Sequence, residues 1–287
     1  MDTSISNGTL ICFSIYAGLA ISLITQKHPN NIKVSLFLLF TLLLSSAIFE
    51  LLKLPAMPYV AALYFSSFML SHKINFIRKT SLFILIALSL AFSLHLIPGF
   101  KNEIIFLSPS FGLSEQPYKL NANLDKALAA IAIILAMRST VKWKTSIKEL
   151  YLILTAITIF FTVSILFDAK PDPKLGAFTL AFIFFNLSVT CLAEEVFFRL
   201  IIQDWLFKFS KGALNGWLAV FITAVIFMLA HFHTGVDADK RLFLIFIAGI
   251  LYGGIYLKNK SLGSAIIMHF GINIIHFSFF AYPATFN

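Results

Sequence analysis

The chain has 287 residues, of which 59% are hydrophobic, 33 are Phe and only 12% are charged. A soluble core cannot bury that much apolar side chain, so a soluble globular fold is excluded and a polytopic membrane protein is predicted. The net charge of +9 reads as a bias of the loops, with attraction to anionic membrane lipid, and not as a nucleic-acid footprint. Cys12 and Cys191, both inside apolar runs, offer neither a disulfide framework nor a thiolate cluster for metal.

The leader Met1-Asp2-Thr3-Ser4 has no positive charge, so the apolar run from Leu10 reads as a retained first span and not as a cleaved signal peptide. At about 17 to 25 apolar residues per span, helices are predicted near 10–26, 34–52, 56–72, 80–99, 124–138, 150–168, 177–209, 214–231, 242–257 and 262–281. The predicted fold class is an all-α, polytopic transmembrane helical bundle of about eight to ten spans. Pro55 and Pro58 open the third helix, and 124–138 is short enough to lie re-entrant. Between the fourth and fifth helices, Lys101 to Asp125 is the longest polar stretch and reads as an exterior loop able to cap a cavity. The segment 177–209 is too long for one crossing. Its last third, with Arg199, Gln203, Asp204 and Lys208, is expected along the interface, where Trp205 suits the headgroup level.

Alternate loops and flanks carry Lys27 and Lys33; Lys73, Arg78 and Lys79; Arg138, Lys142, Lys144 and Lys148; Lys208 and Lys211; Lys258 and Lys260. That is 13 positive charges, against 8 on the other set (Lys53, Lys101, Lys119, Lys126, Lys170, Lys174, Lys240 and Arg241). The positive-inside rule then puts both termini outside a bacterial inner membrane. Residues 1–145 hold almost no intramembrane charge apart from Glu50 and are expected to form an N-terminal transmembrane region. Residues 146–287 carry the reactive side chains and are expected to form the catalytic core.

Three blocks make up that core: Glu194-Glu195-Val-Phe-Phe-Arg199, Phe227-Met-Leu-Ala-His231 and His269-Phe-Gly-Ile-Asn273. Each of Glu194, Glu195 and Arg199 would cost about 2.5 to 3.5 kcal/mol if it faced acyl chains near midplane, so these groups must face one another or water. On a helix, Asn186, Thr190 and Glu194 form one polar stripe, and Cys191, Glu195, Arg199 and Gln203 the next. Arg199 is thus placed to neutralise Glu195, leaving Glu194 as the unpaired carboxylate that a general base requires. Phe227 lies one turn before His231, so its ring can restrict that imidazole. Asn273 and His276 share the face of His269. A water-holding glutamate, two imidazoles and an amide suit attack on a peptide carbonyl. With the boundaries above, His269 lies about 10 Å inside one end of its helix and His231 near the far end of its own, so a shared site requires those boundaries or the helix tilts to shift.

In order and spacing, the three blocks resemble the CPBP family (CAAX protease and bacteriocin-processing), which includes the Ras-converting CAAX endopeptidases and whose pattern is EExxxR, FxxxH and HxxxN. One departure is Leu200, where members commonly carry Gly. The resemblance covers roughly residues 150–281 and implies a glutamic-type intramembrane endopeptidase acting on a membrane-associated peptide or protein. Glu194 would activate water with His231, His269 and Asn273, supported by Glu195, Arg199 and Phe227; His276 and His233 are further candidates. No cofactor is expected. Glu194, His231 and His269 would also serve as three zinc ligands, but no HExxH helix is present. Two other readings stay open: a non-catalytic bacteriocin-immunity or scaffold protein, the role in which some members of that family are known, and a proton-coupled transporter in which the same Glu and His residues form a relay.

Overall fold

The structure is a computed structural model that describes residues 5–25, 32–108, 112–113, 118–211, 213–232 and 238–281. Among the described residues, ten helical rods run alternately up and down: α1 (Asn7–Ile24), α2 (Ile32–Ile48), α3 (Met57–Met69), α4 (Asn75–Ser93), α5 (Leu124–Met137), α6 (Ile147–Leu166), α7 (177–209), α8 (Trp217–Ala230), α9 (Ala238–Asn259) and α10 (Leu262–Phe279). Seven stretches, including α1, α4, α6, α7, α9 and α10, are long and apolar enough to cross a membrane. The protein is therefore an integral, multi-pass helical bundle. The outer helices show large apolar side chains such as Phe37, Phe83, Tyr151 and Leu154 outward, as a lipid-facing surface requires.

α5 occupies the centre. From Ala127 to Leu135 no side chain is more than 2% exposed, and the run of small residues lets neighbouring helices approach closely. Its 14 residues reach about 21 Å at 1.5 Å per residue, short of a hydrocarbon core of about 30 Å. Burial inside the bundle makes that length tolerable. α3 is tied to it by the hydroxyls of Tyr64 and Ser67, which donate to the carbonyls of Leu128 (3.0 Å) and Ala132 (2.7 Å). α1 reaches α7 directly, through Tyr16, whose hydroxyl donates to the Ser188 carbonyl at 2.6 Å, and through the edge-to-face pair Phe13–Phe185.

The polar stretch after α4 is not an irregular loop. It contains an antiparallel hairpin, β1 (Glu103–Ser108) and β2 (Tyr118–Ala122), whose ladder satisfies backbone groups lying against the bundle. Pro109 and Pro117 fall outside the described residues. α7 is also a correction. It runs on helically to Phe209 and contains two π-helical segments, Asn186–Cys191 and Val196–Gln203. Arg199 and Gln203 are wholly buried, so the expected turn of this segment along the interface does not begin there. The protein supplies polar partners for both side chains that lipid could not.

The hairpin, the loop after α2, the α6–α7 connector and the end of α10 share one face of the bundle. Glu103 accepts from the backbone and hydroxyl of Ser6, the N-cap of α1. The connector pairs with the end of α10 through Asp172 N to Phe279 O, Lys174 N to Ser278 O and Ala281 N to Lys170 O. On the opposite face, Leu262 N bonds Lys142 O and the Ser261 hydroxyl bonds Lys144 O. The hairpin loop is clipped to the connector where Asp172 accepts from Leu113 N (2.8 Å) and from Lys174 Nζ (2.9 Å). Gly112 beside it has φ +65°, and an added Cβ would lie 1.8 Å from Asp172 Oδ2, so only glycine fits.

Burial alone would raise the Asp172 pKa, but the hydrogen bonds from Lys174 and Leu113 and the charge of Lys174 outweigh it and hold the carboxyl below its ordinary value. A group whose folded pKa is depressed contributes stability that is present above its unfolded value, about 3.9, and is lost as pH falls through the folded one. Asp172→Asn should therefore lower the melting temperature at neutral pH and leave a shallower loss of stability below about pH 4, as read from thermal melts over a pH series in detergent.

Candidate active site

α7 sets out the two carboxylates in the two stripes that its spacing implies. Asn186, Thr190 and Glu194 line a cavity. The neighbouring stripe points into protein: Arg199 Nε donates to Glu195 Oε2 at 2.7 Å, and Arg199 Nη1 to Gln203 Oε1 at 2.8 Å. Gln203 Nε2 continues the chain to the Gly253 carbonyl on α9 at 2.9 Å. None of Glu195, Arg199 and Gln203 has any exposure. A charge-assisted pair at 2.7 Å, braced by an amide, is the form in which two ions can be carried out of water.

The other carboxylate oxygen of Glu195 holds a histidine. Its Oε1 lies 2.8 Å from His269 Nδ1, so this nitrogen carries the hydrogen and Nε2 is turned toward the cavity. The ring is clamped flat against Tyr252, with centroids 4.4 Å apart and planes 14° apart, and meets Phe227 edge-on. His269 is 3% exposed. Its orientation is settled by packing and by Glu195 together.

His231 arrives by a different route. α8 ends at Ala230, and His231 is its C-cap. The ring turns back along the helix, placing Nδ1 2.8 Å from the Phe227 carbonyl and packing at 4.4 Å against the Phe227 ring. A carbonyl can only accept, so Nδ1 is a protonated nitrogen and Nε2 is again the end turned to the cavity. This backward turn reconciles the depths of the two histidines. His231 sits at the terminus of a 14-residue helix, and its imidazole is drawn a turn deeper than its Cα.

Both Nε2 atoms approach Glu194. His231 Nε2 lies 3.8 Å and His269 Nε2 3.9 Å from Glu194 Oε2. Those gaps are too long for direct hydrogen bonds and short enough for a water to touch the carboxylate together with either ring. Asn273, one turn beyond His269, lines the same cavity. Its amide nitrogen is directed to Asn186 Oδ1 (3.2 Å) and Cys191 Sγ (3.7 Å), and the Cys191 thiol donates to the same Asn186 oxygen. His276 lines the cavity nearer the hairpin face. His233 lies outside the described residues. Among the described residues, no group of three or more His, Cys, Asp and Glu is arranged to hold a metal ion.

The cavity measures about 550 Å³, within the range of ligand sites. Its walls include Phe160 and Phe161 from α6, Leu244 and Ala248 from α9, and, toward the hairpin face, Lys119, Lys170 and Arg241. Several of these contributors carry no mark in the sequence. Tyr252 lies inside Gly249-Ile-Leu-Tyr-Gly253, which reads as a small-residue packing face, and Gly249 does let α9 approach the backbone of Ala224. Gly253 also makes room for the buried ion pair, because a Cβ there would come within 2.8 Å of Arg199 Nη1 and 3.0 Å of Gln203 Oε1. Lys119 and Lys170 belong to polar connectors, in which nothing in the sequence marks them as cavity residues.

Gly253→Ala should displace the Arg199–Gln203 arrangement. Overpacking of this kind costs about 1 to 3 kcal/mol, so a lower melting temperature is expected, with a change in His269 that follows from moving Glu195. Gly249→Ala should instead loosen the α8–α9 contact. Thermal stability, together with the imidazole NMR signals of both variants, separates the two effects.

Residues 176–275 match the family described as type II CAAX prenyl endopeptidase Rce1-like, a stretch that contains all three blocks. No curated protein and no solved structure gives a significant match. The match and the three blocks agree: the stretch 176–275 is similar to the type II CAAX prenyl endopeptidases of the Rce1-like family.

Proposed function

We propose that the protein is an intramembrane endopeptidase that hydrolyses a peptide bond in a membrane-associated peptide or protein, with Glu194 activating the water. The observation that carries this reading is the convergence of two imidazole Nε2 atoms on one oxygen of Glu194 at 3.8 and 3.9 Å, while the adjacent carboxylate is occupied by Arg199. The two glutamates thus have separate roles. Glu195 fixes His269 and is neutralised; Glu194, partly exposed in the cavity, is left for chemistry.

In the reaction, Glu194 takes a proton from water as its oxygen attacks the scissile carbonyl carbon. The electrons of the C=O bond move to oxygen, with His231 and the Asn273 amide as the groups that receive that oxyanion. Collapse of the tetrahedral adduct breaks the C–N bond, and Glu194 hands its proton to the leaving amine. His269, held by Glu195 and Tyr252, orients the water. Asn273, anchored on Asn186 and Cys191, closes the wall against which the peptide lies.

Glu194→Gln should remain folded in the membrane and lose cleavage by about 10² to 10⁴-fold, the usual contribution of a general base. Glu195→Gln should fail differently, because it leaves Arg199 buried without its counter-charge, a loss of about 3 to 5 kcal/mol. A peptide-cleavage assay in proteoliposomes, paired with melting curves, separates the two. Full cleavage by Glu194→Gln would remove the general-base role, whereas no cleavage by the unsubstituted protein, with a cellular phenotype that Glu194→Gln leaves unchanged, would favour a non-catalytic function. Stoichiometric zinc in the active protein, with cleavage abolished by its removal, would replace direct water activation with metal chemistry.

A further inference from the structure

We infer that the catalytic cavity opens on the non-cytoplasmic face of the membrane, so that its substrate is an exported or outward-facing peptide segment and not a cytosolic protein. The inference rests on the reading of Glu194 as the reactive group, but its labelling test does not depend on cleavage. Two observations carry it: the direction from which water can reach Glu194, and the charge of the face on which that route ends.

From Glu194 toward the face opposite the hairpin, the path is closed. Glu195, Arg199 and Gln203 follow on successive turns of α7 with no exposure, and Phe198 and Tyr252 flank them at 6% and 2%. This layer is bonded across to Gly253, and Gly253 has no side chain whose motion could open a gap. The cavity's polar rim lies the other way. Lys119 of β2, Lys170 of the α6–α7 connector, Arg241 of the first turn of α9 and Ala281 after α10 all line it. Peptide and water therefore come from the hairpin side.

That side is the one the loop charges mark as outer. Among the described residues, the opposite face carries twelve Lys and Arg against two acids, Glu149 and Asp204. The hairpin face carries eight Lys and Arg. The excess of Lys and Arg on short loops, twelve against eight, places the first face in the cytoplasm. The hairpin, both described chain ends and the cavity rim are then all outside.

Single cysteines at Lys119 and Lys170 on the rim, and at Lys148 on the opposite face, test this in the full-length protein. The native Cys12 and Cys191 have no exposure and stay in place. A membrane-impermeant maleimide applied to intact bacterial spheroplasts is expected to label Lys119→Cys and Lys170→Cys, and to label Lys148→Cys only after the membrane is opened. The reverse pattern overturns the proposal. Rim labelling from outside in a protein that cleaves no peptide from either side would uphold the orientation and count against the peptidase reading. In sealed vesicles of known sidedness, added peptide should be cleaved by right-side-out preparations, and cleavage confined to inside-out ones overturns the inference.

Discussion

A carboxylate and a guanidinium, neither with any exposed surface, meet at 2.7 Å inside α7, and the geometry of the site follows from that contact. Neither ion could be carried into the bundle alone. Together they are tolerated only because Gln203 and the Gly253 carbonyl take up further hydrogen-bonding capacity. Arg199 fixes Glu195; Glu195 fixes the ring of His269; His269 turns its second nitrogen on Glu194. Stability and chemistry are linked here, because the pair that prevents a costly buried charge also aims the imidazole.

The rest of the bundle serves as support for this chain of contacts. α5, enclosed on all sides, presses on α7 and holds it at a fixed depth. α9 delivers both Tyr252, which stacks on His269, and Gly253, which leaves room for Arg199. A single helix thus supplies a flat wall to one end of the network and a void to the other. The hairpin and connector, clipped together at Asp172, build the polar rim where the cavity meets the outside of the bundle.

Much of this could be read from the chain itself. Ten helical rods follow from the apolar runs, and the three blocks stand out because Glu, Arg and His are so costly in lipid that only mutual contact explains them. The split between Glu194 and Glu195 follows from i to i+4 spacing alone. Other parts were not legible. The hairpin was hidden in a polar stretch whose alternation is too short to separate from a loop. The fold of the His231 ring onto the Phe227 carbonyl is a rotamer that no spacing encodes. Burial of Gln203 and Arg199 was missed because a polar helix end resembles an interfacial one until the partner at Gly253 is known.

The two π-helical segments in α7 have a consequence for how the chain tolerates change in length. Each holds one more residue per turn than an α-helix would, so each behaves as an insertion that the helix has absorbed. Removing a single residue between Asn186 and Cys191 would let that segment relax to α geometry while the turns on either side kept their register, because an α-turn closes with one residue fewer. The same deletion in a purely α-helical stretch would turn the part before it by about 100° against Glu194 and Glu195. At its two π-helical segments the helix can therefore lose a residue without rotating the carboxylates against the cavity wall.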